Sequence, residues 1–312
     1  MQTFIDILLV SGKKGFELAF FVLMPIMVFM MAIMRVLDKK GILRLIAIYA
    51  APVLLLFGIP GLGVFAILQI LLVSFAAPVS TLRIMDQDVD ISDRKIAAGL
   101  AAILAMSQAN ATFPLAVFGL NLPVTMLTSL LGGLLASFLT YKIFARHLVD
   151  SVEKSAAIEI KKEEGKEKTI QTIMAGAEEG FQLVLKAVPL FVLAVFLVNI
   201  LKTAGAIALL EKIFAPVLSL AGISGAAVLS IVTKYIAGGT AMMGATIPLI
   251  QENAMSAAEL NKIAGFTINP LDAVGLAVLV ASGKRIAAFV MPAVKGALIG
   301  VLFRRIVHLI VF

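Results

Sequence analysis

Of the 312 residues in this chain, 61% are hydrophobic and only 14% are charged, with a net charge of +7. Soluble domains carry about a quarter of their residues as charges, so an ordinary soluble enzyme is excluded, and a basic excess beside apolar segments fits lipid headgroups without calling for nucleic acid. With no cysteine and only His147 and His308, disulfides, thiolate chemistry and a histidine-rich metal site are excluded within one chain.

Residues 1–14 open the chain with Asp6 ahead of Lys13 and Lys14, and no cleavage-type site follows. That pattern predicts an interfacial lead-in rather than a secretion signal. A first half then runs over 15–148. It starts with a long apolar span, Gly15 to Leu37, containing Pro25. A shorter helix (Ile42 to Phe57) and a Gly-rich span (Gly58 to Ala77) follow, then a break at Pro78 and an acidic loop through Asp93. The pattern resumes at Lys95, is interrupted by Ser107, Gln108, Asn110 and Thr112 before Pro114, and closes in an apolar helix ending at Arg146. Leu45 to Leu82 and Ile96 to Tyr141, 38 and 46 residues, contain no Asp, Glu, Lys or Arg. At about 20 residues per crossing, each stretch holds one to two membrane helices.

A charged stretch over 149–172, centred on Lys161 to Lys168, predicts an exposed linker. The second half, 173–312, repeats the first. Nine of the fourteen residues in Ala51 to Val64 recur in Ala215 to Val228, 164 positions later, and the same offset carries Pro25 onto Pro189 and Gly41 onto Gly205. Prolines and glycines mark backbone features, so their recurrence indicates duplication. A polytopic all-α membrane protein of two repeats of about five spans each is expected. An odd number of spans inverts the second repeat, and the site then lies between the halves.

A broken helix in lipid leaves backbone N–H and C=O groups without partners unless they face protein, water or solute. The breaks therefore nominate the binding residues. Lys234 stands alone in an uncharged run from Ile213 to Gln251, next to Tyr235 and just before Thr240. A cation in mid-membrane costs about 3 kcal/mol and faces a partner or an aqueous cavity. Lys234 is a candidate counter-charge for an anionic solute, with a snorkelling lysine or a salt bridge to Asp272 as the structural alternatives. Asp272 is equally isolated, after Asn269 and Pro270, and is the candidate holder of a coupling Na⁺ or H⁺. Substituting Lys234 or Asp272 is expected to abolish uptake and leave folding intact. Ser107, Gln108, Asn110 and Thr112 offer hydrogen bonds to a polar solute or between helices. Aligning the resumed spans at Gly99 and Gly265 sets Asn110 opposite Leu276 and Asp272 opposite Met106. An asymmetric site weighted toward the second half follows. No phosphate-binding loop or His-Glu-x-x-His motif is present, and no enzyme is expected.

Gly180-Phe181 leading to Pro189, then Leu201 to Gly205, then Ala215-Pro216-Val217-Leu218-Ser219-Leu220-Ala221-Gly222, resembles the nucleoside-recognition or Gate domain. That domain occurs in spore-maturation membrane proteins, in the membrane part of ferrous-iron transporters and, more distantly, in concentrative nucleoside transporters. The resemblance implies two inverted Gate repeats in a prokaryotic cytoplasmic membrane. It implies re-entrant hairpins near Ser74 to Asp93 and Gly238 to Met255, and unwound segments near Ser107 to Thr112 and Thr267 to Asp272. The membrane cysteines of the iron-transporting members are missing here, which turns the expectation away from ferrous iron. Together these readings point to a secondary transporter of a small polar or anionic solute, nucleoside-like or carboxylate-bearing. Its partners are the bilayer and the solute, and a homo-oligomer is compatible with the sequence. A membrane scaffold that recruits a partner through the linker, and a lipid or polyprenyl-phosphate translocase, are the alternatives.

Overall fold

The computed structural model describes residues 2–150, 169–220 and 222–312, and every regular element among them is helical. The expected linker lies outside the described residues except for its first two and last four positions, the latter opening a long helix. Helices are what lipid demands of uncharged chain, because each N–H finds its acceptor within the same segment.

The first half begins as one rod in which α1 (Gln2–Glu17), a π-helical stretch (Leu18–Leu23) and α2 (Met24–Lys39) follow without interruption. The wide turn lies where Pro25 has no N–H to give. The lead-in expected over 1–14 is thus continuous with the first span. It is held to α9 (Thr169–Thr203) by Phe4 against Phe196 at 5.6 Å and by Asn199 Nδ2 donating to Ser11 Oγ at 2.9 Å. The half continues with α3 (Ile42–Leu55), α4 (Gly61–Leu72), α5 (Pro78–Gln87), α6 (Asp93–Ala105), α7 (Ala109–Ala116) and α8 (Leu122–Leu139), which a π turn (Thr140–Phe144) prolongs. The second half is α9, α10 (Ala206–Ser219), α11 (Ala227–Gln251), α12 (Ala257–Thr267), α13 (Ala273–Val280), α14 (Lys284–Ala288) and α15 (Val290–Val311).

The duplication is written into the backbone at the same offset as in the sequence. Helices α3 and α10 are both 14 residues long and start 164 positions apart. Gly41 and Gly205 precede them at φ 71° and 70°, and Gly58 and Gly222 follow at 80° and 60°. These are left-handed conformations that a Cβ disfavours, which is why glycine recurs in both halves.

Each half also contains a hairpin. In α11 the chain adopts φ 87°, ψ 174° at Gly238, and Thr246 Oγ1 lies 2.9 Å from Ser230 Oγ. Sixteen residues of straight helix would separate those atoms by about 24 Å, so the chain folds back at Gly238, midway between them. In the first half Thr81 Oγ1 donates to Gln69 Oε1 at 2.7 Å, which closes α4 and α5 around a tip near Phe75. The hairpins therefore begin earlier than the resemblance implied, at Gly61 and Ala227. The Gly-rich stretches read as spans are their first arms. Ala227–Gln251, although long and apolar enough to cross a membrane, folds back at Gly238.

Five elements per half result: rod, short helix, hairpin, interrupted helix and closing helix. In the first half three of the five, the rod, the interrupted helix and the closing helix, are long and apolar enough to cross a bilayer. Asp93–Ala116, interrupted after Ala105, and Leu122–Phe144 have 24 and 23 residues, against about 20 needed to span. The interrupted and closing helices α6, α8, α12 and α15 form the centre, and α9 packs along α1 and α2. Close crossing of α8 and α15 depends on small residues, since a Cβ on Gly300 would strike the carbonyl of Gly132.

Candidate functional site

Two hairpin tips and two helix breaks meet at one cavity of about 300 Å³. From the first half it receives Ser74, Phe75 and Ala76 at the tip, and Gln108 and Asn110 at the break between α6 and α7. From the second half it receives Gly238, Gly239 and Thr240 at the tip, and Asp272 and Val274 at the break between α12 and α13. Taken at the offset of 164, these residues are pairs: Ser74 with Gly238, Phe75 with Gly239, Ala76 with Thr240, Gln108 with Asp272, and Asn110 with Val274. Met27 of α2 and Phe191 of α9, likewise 164 apart, complete the wall.

That register corrects the alignment through Gly99 and Gly265. Ser92 and Ser256, the N-caps of α6 and α12, are 164 apart, as are Gln108 and Asp272, the N-caps of α7 and α13. Asp272 is thus matched by Gln108, not by Met106. The two halves place different chemistry at the same backbone position.

The local physics of each break is legible. Met106 and Gln108 are extended, at ψ 157° and 125°, after α6 ends at Ala105. Asp272 is extended at φ −148°, and its Oδ1 accepts from Gly275 N at 2.7 Å, a side-chain cap of α13. Its Oδ2 accepts from the ammonium of Lys234, whose side chain is 0% exposed. Asn269 lies beside the cavity rather than on it, bonding Phe266 O and Leu271 N around the turn at 2.9 and 3.1 Å. Asn110 Oδ1 accepts from Phe75 N at 3.1 Å and so joins the α7 start to the first hairpin tip.

Of the other sequence candidates, Lys234 does not line the cavity; it stands behind Asp272. Tyr235 donates to Phe266 O at 3.1 Å and packs on that ring. Thr112 turns back to Gln108 O at 2.9 Å within its own helix. Ser107 is buried, its N–H given to Ser129 Oγ at 2.6 Å. Gln108, Asn110, Thr240 and Asp272 are brought together at the cavity; Ser107, Thr112, Tyr235, Lys234 and Asn269 support it from behind. Among the described residues no group of three or more His, Asp or Glu side chains could hold a metal ion.

Two residues that matter here were passed over in the sequence. Arg304, read as the basic end of a closing helix, is 0% exposed. Its Nη1 donates to Ala105 O at 2.6 Å and Ile268 O at 3.1 Å, and its Nη2 to Ser107 Oγ at 2.6 Å. One guanidinium thus caps the carbonyl ends of α6 and α12, where the helix dipoles are negative. Nothing in the sequence distinguishes it from an interfacial arginine. Lys186 lines the cavity from α9. A signal for it existed, since Lys186 is a lone charge between Gly180 and Leu201.

No protein-family model and no curated relative matches the chain. Solved structures of CNTnw, a concentrative nucleoside transporter, do. A CNTnw variant in an outward-facing state is 18% identical with a TM-score of 0.67, covering 93% of this chain and 74% of that one. CNTnw in an inward-facing substrate-bound state is 17% identical with a TM-score of 0.65, covering 93% and 73%. A variant in the intermediate 2 state reaches 0.70 at 18% identity, covering 93% and 75%. At this identity the likeness establishes the fold, that of a polytopic helical membrane protein.

Proposed function

We propose that the chain is a secondary transporter of two inverted Gate-type repeats. It holds a small polar or anionic solute, nucleoside-like or carboxylate-bearing, between the hairpin tips and exposes it to each side of the membrane in turn. The observation that carries this reading is the convergence of four breaks, two from each half, on one cavity. Irregular backbone at membrane depth is tolerated where it lines such a cavity, and repeat interfaces are where transporters place it. Three full-length elements in the first half, an odd number, fit an inverted second half. The likeness to CNTnw, solved in outward-facing, intermediate and inward-facing states, supports alternation.

Na⁺ or H⁺ coupling belongs to the proposal. Both oxygens of Asp272 are engaged, one by Gly275 N–H and one by Lys234.

The test is a thermal-shift screen of the purified protein against nucleosides, carboxylates and amino acids, followed by counterflow of each stabilising solute in proteoliposomes. A binder of the folded state raises its stability. At least one such solute is expected to exchange across the membrane. Gly239→Val, which drives a side chain into the Gln108 amide, is expected to lose both signals. Stabilisation without exchange for every solute would leave a binding scaffold and end the transport reading.

A further inference from the structure

We propose that the transported solute is an organic anion whose charged group is met by Lys186 and by the Gln108 side-chain amide. The inference rests on the transport reading above and narrows its solute class.

Lys186 occupies the middle of α9, seventeen residues from either end of that 35-residue helix. Seven residues, about 10 Å of helix, separate it from Glu179, the nearest charge toward the start of α9, and an uncharged run follows it to Leu201. A cation in such surroundings needs water or an anionic partner. Among the described residues no carboxylate pairs with Lys186, and its side chain is exposed to the cavity. Its counterpart 164 positions earlier is Val22, so the charge is particular to the second half.

Gln108 is the second, independent observation. The residue is 2% exposed, lines the cavity, and its Nε2 has no acceptor. It lies over Gly239, so close that a Cβ there would overlap it. A buried amide donor left without an acceptor is destabilising, and a bound acceptor removes that cost.

The remaining charges do not oppose this field. Asp272 is the acid on the cavity wall, and its charge is matched by Lys234 and by the α13 N-terminus that it caps. The helices α7 and α13 and the second arm of α11 all begin at the cavity, presenting positive dipole ends. Among the described residues Lys186 is the cation that lines the cavity, and it calls for one negative charge. Leu23, Met27, Val184 and Phe191 form an apolar wall that suits a hydrocarbon body, and about 300 Å³ is at the small end of ligand sites. A monocarboxylate of modest size has this shape and charge.

The probes are butyrate, hexanoate, octanoate and benzoate, each beside its amide, with uridine as an uncharged solute. Binding to the purified full chain is read by thermal shift and titration calorimetry. At least one carboxylate is expected to bind and its amide to fail. Lys186→Gln, which breaks no ion pair or hydrogen bond among the described residues, is expected to weaken carboxylate binding by about tenfold or more. Lys186→Arg should retain most of the binding. No carboxylate binding, an amide or uridine binding as well as the acid, or an unchanged affinity in Lys186→Gln would overturn the proposal. Uridine counterflow that carboxylates do not inhibit would overturn the anion inference and keep the transport reading. Carboxylate binding without flux would keep this site and remove transport.

Discussion

At the scale of single residues, the buried pair of Lys234 and Asp272 changes what substitution does. Isolation in the sequence suggested that either could be replaced without harm to the fold. In the structure each is the other's counter-ion, at 0% and 2% side-chain exposure. Removing one partner of a buried pair costs about 3–5 kcal/mol, because the other charge is left without compensation. Lys234→Met and Asp272→Asn are therefore each expected to destabilise the protein, and the double variant by less than their sum. Unfolding by SDS in mixed micelles measures this, and strict additivity would show that the two do not interact. Both residues were legible in the sequence as lone charges, and so was Lys186. Arg304 was not, because an arginine near a helix end looks the same whether it faces headgroups or reaches back to cap two carbonyl ends.

At the scale of elements, positive φ explains why glycines survived the duplication where most side chains did not. A methyl group added at Gly41 or Gly205 would meet open space, with no atom within 4 Å, so backbone conformation alone selects glycine there. Gly41→Ala and Gly205→Ala are each expected to cost about 1–2 kcal/mol, with Asn costing less. Differential scanning calorimetry of the four variants checks it, and a loss confined to one half would argue against equivalent roles. The rods, short helices and breaks could be read from the sequence, because proline, glycine and polar residues interrupt apolar runs. The first arms of the hairpins could not. Gly58 to Ala77 has the composition of a span, and only the Gln69–Thr81 and Ser230–Thr246 bonds show that the chain turns back. The register of the interrupted helices was missed for a related reason. Similar Lys-Ile-Ala stretches outweighed the less conspicuous serine caps at Ser92 and Ser256.

At the scale of the whole molecule, an integral membrane protein closes its two halves around a cavity that neither could form alone. Six of the pairs lining it sit 164 residues apart. Arg304 ties the interrupted helix of one half to that of the other. Alternating access then requires the cavity to open toward both sides. The absence of cysteine makes this directly measurable, since a single introduced thiol has no background. Ala76→Cys places one small thiol at the first hairpin tip, on the cavity wall. The decisive measurement is its labelling by a membrane-impermeant maleimide added from either side of oriented vesicles, with and without a stabilising solute. Labelling from both sides, with solute slowing each, is the expected result. Labelling from one side only, or from neither, under every condition would contradict a cavity exposed to the two sides in turn.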